Sequence, residues 1–495
     1  MRNCCHNDVV GLANRYCKVS DNSINYDLGI VNGILDELAQ HILRANGGSR
    51  MKPISLLDFL DSRTGHSKQR YCKAFSKMQK RQFDPVKDSG IKAFIKNEKY
   101  SEHKPPREIM GRDPVFNLLY GRYTIPLEKL LKHIPGFDKG KDFFEMGKFM
   151  EKYVGSKHFM DCDFSKFEST QREALLKLVE GGLWKRILAP EYLPYINSLF
   201  KIKMVKKGVT TNGVQFQFYA CRGSGDMDTW LFNTILNWVA CRYFEIINKT
   251  GNTDFITTGD DSNIAVPMGF SDPIDTFKLF GFDSKLRLLR DPYDVEFCSS
   301  KYIEYSPGCW MLCPNIKKIC NNIGLMINSD FNKCIGHYYY SIGYMYSVLF
   351  PNFPFFSQLS SFLMGITKNP KVRVNTEHLK FLNPMYLEFF REGSSGVQCS
   401  QNMVEVGFML AFSLQRTELN QIYHYLSTTK VNVSFCDKVF RKRGNPTPPP
   451  TPFECQWVQQ SMESRLLSTR PQVNRFVKAA KKPQRDNLIF TVHGR

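Results

Sequence analysis

Thr258-Gly259-Asp260-Asp261-Ser262 is preceded by Phe255-Ile256-Thr257 and followed by Ile264-Ala265-Val266. The pattern reads as two short strands joined by a tight Gly-Asp-Asp turn. Such a hairpin would hold two adjacent carboxylates at its tip, where they could share a divalent cation. Turns of this composition are common and usually only structural. The meaning of this one depends on what the rest of the chain supplies.

The chain has 495 residues, 42% hydrophobic and 23% charged, the balance of a globular protein and not of a disordered one. Its length suggests about two to four domain-sized units. Lys and Arg number 67 against 47 Asp and Glu, a net charge of +20. That surplus favours a polyanionic partner, nucleic acid first, with an anionic membrane surface as the competing reading. The 15 cysteines are scattered and odd in number, and Met1 to Asp8 leads into polar sequence. Both features fit reduced thiols in a cytosolic compartment. Cys309, Cys313 and Cys320 do not have zinc-ribbon spacing and read as free buried thiols, with Cys298 and Cys334 outside the group. Cys334 to Thr367 carries no Asp, Glu, Lys or Arg, but Pro351 and Pro354 break it. It reads as buried helical core in preference to a membrane span.

Within residues 1–90, Leu28, Val31, Leu35, Leu38 and Ile42 recur at helical steps inside Tyr26 to Ala45, a packing face with no sign of chemistry. From Ile91, Lys96, Glu98, Lys99, Lys104, Arg107 and Arg112 interleave with Phe94, Ile95, Ile109 and Met110. This predicts extended segments presenting cations, suited to phosphate; a solvated basic face is the bland alternative. Lys157 to Phe164 reads as a strand ending in Asp161 and Asp163, leading through Glu168 into an amphipathic helix. The acids could equally be helix caps. Cys221 to Thr229 is a small-residue loop opening a helix through Trp238, and Thr229 and Asn233 share one helical face. Pro273 to Phe280 predicts a short helix, and Glu296 to Lys301 a strand and turn. From about Tyr305 the periodicity is mostly helical, through Leu379 to Phe390 and Val404 to Leu414. Pro446 to Pro452 reads as a stiff linker before a basic tail.

The order of these features discriminates: a basic array, an acid-bearing strand, a Ser-Gly…Thr…Asn helix, a Gly-Asp-Asp hairpin, a late lysine and a Phe-Cys-Ser turn. Over residues 91 to 305 the set resembles the RNA-dependent RNA polymerases of positive-strand RNA viruses, most closely tombusvirus-like enzymes. Asp163 and Glu168 match the family's motif A, and Ser224, Gly225, Thr229 and Asn233 match motif B. Gly259-Asp260-Asp261 matches motif C, Lys285 motif D, and Phe297-Cys298-Ser299 motif E. FIKNEK and KPPREIMGR resemble the basic motif F. Glu168 stands where most relatives carry Asp, and Gly111-Arg112 replaces a Pro-Arg pair.

The resemblance implies an α+β right hand of fingers, palm with an antiparallel sheet, and helical thumb. The expected divisions are 1–90 (extension and fingers contribution), 91–150 (fingers), 151–305 (palm with an interleaved fingers segment), 306–440 (thumb) and 441–495 (linker and tail). Two divalent cations, magnesium or else manganese, would be held by Asp163 and Asp260 with Asp261 assisting. Glu168, Ser224, Thr229 and Asn233 would read the ribose, and Lys96, Lys99, Arg107 and Arg112 the triphosphate. Lys285 would act as general acid. Gly225, Cys298 and Ser299 would contact RNA. Template RNA, nascent RNA and nucleoside triphosphates are the implied partners, with viral or host replication factors and peripheral membrane association as further expectations. The implied setting is the host cytoplasm at membrane-associated replication sites. A reverse transcriptase is the nearest alternative, but Thr258-Gly259 and the Glu168–Asn233 pair argue against it. A non-catalytic RNA-binding or coat protein would explain the charge but not the ordered acids.

Overall fold

The computed structural model describes residues 4–17, 24–81, 83–96, 104–323, 331–366, 374, 399–428 and 489–492. The expected helix at Leu379 to Phe390, Lys99, the proline-rich run and most of the basic tail lie outside them. The chain divides into two compact units: Met1–Gly140 with Ser156–Leu288 and Ser468–Arg495, and Lys141–Gly155 with Leu289–Leu467.

The strands are β1 (Ile91–Ile95), β2 (Glu108–Arg112), β3 (Lys157–Phe164), β4 (Val205–Thr210), β5 (Val214–Tyr219), β6 (Phe255–Thr258), β7 (Asp261–Pro267), β8 (Ser284–Leu289), β9 (Glu296–Phe297), β10 (Ser300–Ser306), β11 (Cys309–Pro314) and β12 (Ile489–Val492). The first unit holds two sheets, ordered β12-β5-β4-β1-β2 and β6-β7-β3-β8. In the first, the interleaved basic and apolar residues form the antiparallel β1–β2 pair, with Ile91 opposite Arg112 and Ile95 opposite Glu108. β4 runs parallel to β1. The approach there requires glycine, since a Cβ on Gly208 would lie 2.1 Å from the Ile91 carbonyl oxygen. In the second sheet, β7 runs antiparallel to both β3 and β6. Helices and largely antiparallel sheets make this an α+β chain.

The first unit's main core gathers Val31, Leu35, Leu38 and Ile42 from the predicted face of the Leu28–Ala45 helix, with Trp184, Phe232 and Trp238, whereas Leu28, expected on that face, is exposed at the first helical position. Asp27 caps that helix by accepting from the Ile30 amide, and Asp113 caps Pro114–Leu131 through the Val115 amide. The helix entered through Ser224 is longer than the sequence suggested, Thr229–Asn248, and is buried continuously from Leu231 to Cys241. The stretch expected as a helix at Pro273 to Phe280 is instead a single 3-10 segment, Thr276–Phe280, ended by Gly281 at φ +82°.

In the second unit, the Phe143–Tyr153 helix packs on the β10–β11 hairpin so closely that Gly147 has no room for a side chain against the Trp310 carbonyl. That hairpin is the one departure among these described residues from the mostly helical structure expected from about Tyr305. Helices Phe331–Leu349, Pro354–Gly365, Gln401–Phe412 and Arg416–Thr428 follow. The uncharged stretch forms two packed helices broken at Pro351, and buries Ile342, Tyr346, Phe350 and Phe356. No helix among the described residues is long and apolar enough to cross a membrane.

Candidate active site

Thr258 pairs with Asp261, so the turn consists of Gly259 and Asp260 alone, and Asp261 is the first residue of β7. Gly259 takes φ +58°, the left-handed conformation such turns demand at their first position. The turn is pinned from the Thr229–Asn248 helix. The Gly259 amide donates to Thr234 Oγ1 at 2.8 Å, and Asn237 Nδ2 donates to the carbonyls of Gly259 (3.4 Å) and Asp261 (3.2 Å). Trp230 Nε1 donates to Thr258 Oγ1 at 2.9 Å. Residues 230, 234 and 237 share one helical face, which explains why three side chains reach one hairpin.

Asp163 lies at the end of β3. Cys162 pairs with Ser262, so Asp163 and Asp261, the neighbours of that pair, sit at the same end of adjacent strands. Asp163, Asp260 and Asp261 are all exposed. Asp161 is engaged by Asn263 Nδ2 and by the Arg287 guanidinium, which leaves Asp163 as the better candidate ligand on this strand. Lys285 is exposed on β8, the strand beside β3.

Solvent reaches Asp260, yet the protein around it is dense enough to push its carboxyl above the usual range. Desolvation is the main cause and the charge of Glu168 the second; Arg107 and Arg15 oppose them. Glu168, Asp260 and Arg107, from three separate stretches of the chain, therefore share one electrostatic neighbourhood. Among the described residues no three His, Cys, Asp or Glu side chains converge as a ready metal cage. A few hard carboxylate oxygens nonetheless fit magnesium, which keeps waters and uses substrate phosphates as ligands. The raised Asp260 value marks a place where added positive charge would be favourable.

Glu168 follows Lys166, which is left-handed at φ +55°, and the Ser165 amide is held by the Asp283 carbonyl at 2.8 Å. Its carboxylate accepts from Arg15 at 2.8 Å. The Ser224 loop is fastened to β2, with the Met110 amide donating to the Ser224 carbonyl at 2.7 Å. Gly225 takes φ +106°, and a Cβ there would lie 2.9 Å from Ile109 Cγ2. Thr229 and Asn233 lie on one face as expected. However, the Thr229 hydroxyl meets the carbonyls of Gly223 (2.7 Å) and Asp226 (3.0 Å). Asn233 is buried and its Oδ1 accepts from Gln171 Nε2 at 2.8 Å. As they stand, both side chains brace the loop behind Glu168.

Gln171 continues into a buried ionic network. Its Oε1 accepts from Arg222 Nε at 3.0 Å, and Arg222 and Lys203 both pair with Glu180 and Asp228. Burial works to raise the Asp228 value, but the two cations outweigh it and hold the carboxyl below its usual range. Beside this network, Asp226 pairs with Arg112 and Lys206. Burial pushes the Lys206 ammonium down to about 8 despite Asp226.

The basic array divides. Arg107 is exposed at the start of β2, where its carbonyl accepts the Lys96 amide at 2.7 Å. Arg112, expected among the triphosphate ligands, is corrected to a structural residue. It is 1% exposed, and its guanidinium also donates to the carbonyls of Ser89 (3.0 Å), Lys203 (3.2 Å) and Val205 (3.2 Å). In the second unit, Cys298 and Ser299 form the two-residue turn between β9 and β10, both left-handed at φ +52° and +58°. Ser299 Oγ accepts from Lys318 Nζ at 2.8 Å.

Sequence reasoning missed Arg15, Thr234 and Asn237. The last two carried a signal: with Trp230 they recur at four- and three-residue steps along the helix. Arg15 carried none.

Known relatives bear out the resemblance. The chain is 26% identical over 302 residues to an RNA-directed RNA polymerase of Groundnut rosette virus, covering 56% of this chain and 35% of that protein. It is 24% identical over 335 residues to one from Pothos latent virus (61% and 43%) and 29% over 195 residues to one from Turnip crinkle virus (35% and 24%). The matched regions span less than half the length of these relatives. The profile of the family described as "Viral RNA dependent RNA polymerase" matches residues 1–434. With most of its length matched in this way, the chain belongs to the family of viral RNA-dependent RNA polymerases.

Proposed function

We propose that this chain copies a positive-strand viral RNA genome by template-directed ribonucleotidyl transfer, on a right-hand scaffold of fingers, palm and thumb. The observation that carries the reading is the neighbourhood of Asp260, where Glu168, Arg107 and Arg15 all act on a carboxylate at a strand end shared with Asp163. Asp163, Asp260 and Asp261 would hold divalent cations, magnesium by the hardness of the donors. Bound there, the cations would activate the attacking 3′-oxygen and stabilise the leaving pyrophosphate. Arg107 and Lys96 hold the triphosphate, and Lys285 supplies a proton to the pyrophosphate as its bond to the α-phosphorus breaks. Glu168 accepts the ribose 2′-hydroxyl. Base identity comes from pairing with the template, so the protein grips backbone and shape, for which the +20 charge is suited.

The test is incorporation of ribonucleotides on RNA and DNA templates by the full chain and by Asp260→Ala. Loss of a metal carboxylate is expected to lower the rate by roughly three orders of magnitude, several kcal/mol of transition-state stabilisation. Near wild-type incorporation by Asp260→Ala would remove the metal assignment. Salt-sensitive RNA binding without any incorporation by the wild-type chain would return the reading to a non-catalytic RNA-binding protein.

A further inference from the structure

Glu168 is held from an unexpected direction. The Cys5–Leu12 helix runs into a π-helical turn, Ala13–Cys17, and three consecutive side chains of that turn reach the site. Asn14 Oδ1 accepts from Lys166 Nζ at 3.0 Å. Arg15 donates to Glu168 Oε1 at 2.8 Å and approaches Ser224 Oγ at 3.5 Å. Tyr16 Oη accepts the Ser224 amide at 3.0 Å. One short segment thus bridges the Glu168 turn and the Ser224 loop, from more than 150 residues away in sequence. Widened turns of this kind recur at functional sites because they redirect neighbouring side chains.

The segment is firmly seated. Leu12 and Tyr16 are buried with Ile91, Ala93, Met110, Phe216 and Phe218. Asn212 Nδ2 donates to both oxygens of Asp8, at 3.1 and 3.0 Å. The Arg15 and Glu168 side chains are 11% and 12% exposed, so their ion pair is well shielded from solvent. Arg15 Nε is buried with no partner, leaving one donor of the guanidinium unspent. A glutamate has one more rotatable bond than an aspartate, and its carboxylate needs more fixing before it can read a single hydroxyl.

We propose that Arg15 is a positioning residue for sugar selection, holding the Glu168 carboxylate where it accepts the ribose 2′-hydroxyl; this rests on Glu168 reading the ribose. Arg15 acts through Glu168 and through the Ser224 loop, and does not itself touch the reacting atoms.

The experiment compares kcat/KM for a ribonucleoside triphosphate and its 2′-deoxy analogue on one RNA template, in the full chain. It covers wild type, Arg15→Ala, Arg15→Lys, Glu168→Gln and the double variant, each checked for an unchanged melting midpoint. Arg15→Ala is expected to narrow the ribo/deoxyribo ratio by roughly tenfold, mainly through a higher ribonucleotide KM. Arg15→Lys should restore part of the ratio, and Arg15→Ala should add nothing in the Glu168→Gln background. An unchanged ratio, or equal losses on both nucleotides, overturns the assignment. So does a gain in ribonucleotide kcat/KM, which would make Arg15 a competitor of the substrate. If Arg15→Ala melts early, the Lys variant and the double-variant comparison decide. A wild-type ratio in Glu168→Gln would instead overturn the ribose reading, and a wild-type chain without templated incorporation the polymerase reading.

Discussion

The hydroxyl of Thr234 accepts the amide of Gly259 at 2.8 Å, so the carboxylate-bearing turn hangs from the helix that the Ser224 loop opens. The loop and the turn cannot move independently while this bond and those of Asn237 hold. Thr234→Val keeps the volume and removes the acceptor, leaving the Gly259 amide of the turn without its partner. The expected cost is about 1–2 kcal/mol of stability, read by denaturant unfolding. Incorporation should fall further than stability does, by roughly ten- to a hundredfold, because Asp260 loses its fixed position. RNA affinity should be unchanged.

Arg107 and Arg112 separate by assay. Arg112→Ala removes one member of a buried ion pair and should destabilise the chain by about 3–5 kcal/mol. Arg107→Ala, on an exposed residue, should stay within about 0.5 kcal/mol of wild type while raising the KM for nucleotide. Parallel melting curves and steady-state kinetics check both. A stable Arg112→Ala variant with a selective nucleotide defect would return Arg112 to the triphosphate site.

The Cys5–Leu12 helix is docked over a buried acid. Glu108 is fully buried beside Asp8, and desolvation first, with the Asp8 charge second, pushes its carboxyl from 4.5 up to about 8. The folded state therefore binds more protons than the unfolded state between these values. The stabilisation is complete below 4.5 and is lost as pH rises through about 8. The slope reaches at most about 1.4 kcal/mol per pH unit. Amide protection of the Cys5–Leu12 helix, corrected for intrinsic exchange, should fall across this window, and Glu108→Gln should flatten the dependence.

Cys298 and Ser299 occupy left-handed conformations that glycine or asparagine adopt at lower cost. Ser299→Gly should raise stability by about 1 kcal/mol, seen as a higher denaturation midpoint. A simultaneous loss of primer extension would mean that the strained turn serves the RNA product.

What the sequence made legible was whatever its local period encodes. The hairpin, the β1–β2 pair and the helix carrying Thr229 and Asn233 all follow from two- or four-residue spacing. The β10–β11 hairpin did not, because its aromatic and cysteine residues suit strand and helix alike. Arg107 and Arg112 look equivalent in a charge run; what separates them is Asp226, 114 residues away. Arg15 lies 153 residues from Glu168, and no local pattern singles it out. Partners at such separations are fixed by tertiary structure, and no local signal announces them.

The two-residue turn between β6 and β7 also constrains how this gene can change. Each residue of β7 alternates faces, so one inserted or deleted codon at Gly259-Asp260 would turn Asp261 away from Asp163 and break the pairing with β3. Substitutions around the hairpin can be tested one at a time by selection, but its length cannot drift in single steps. Across chains that share this hairpin, the spacing from Thr258 to Asp261 should outlast the identity of most residues that surround it.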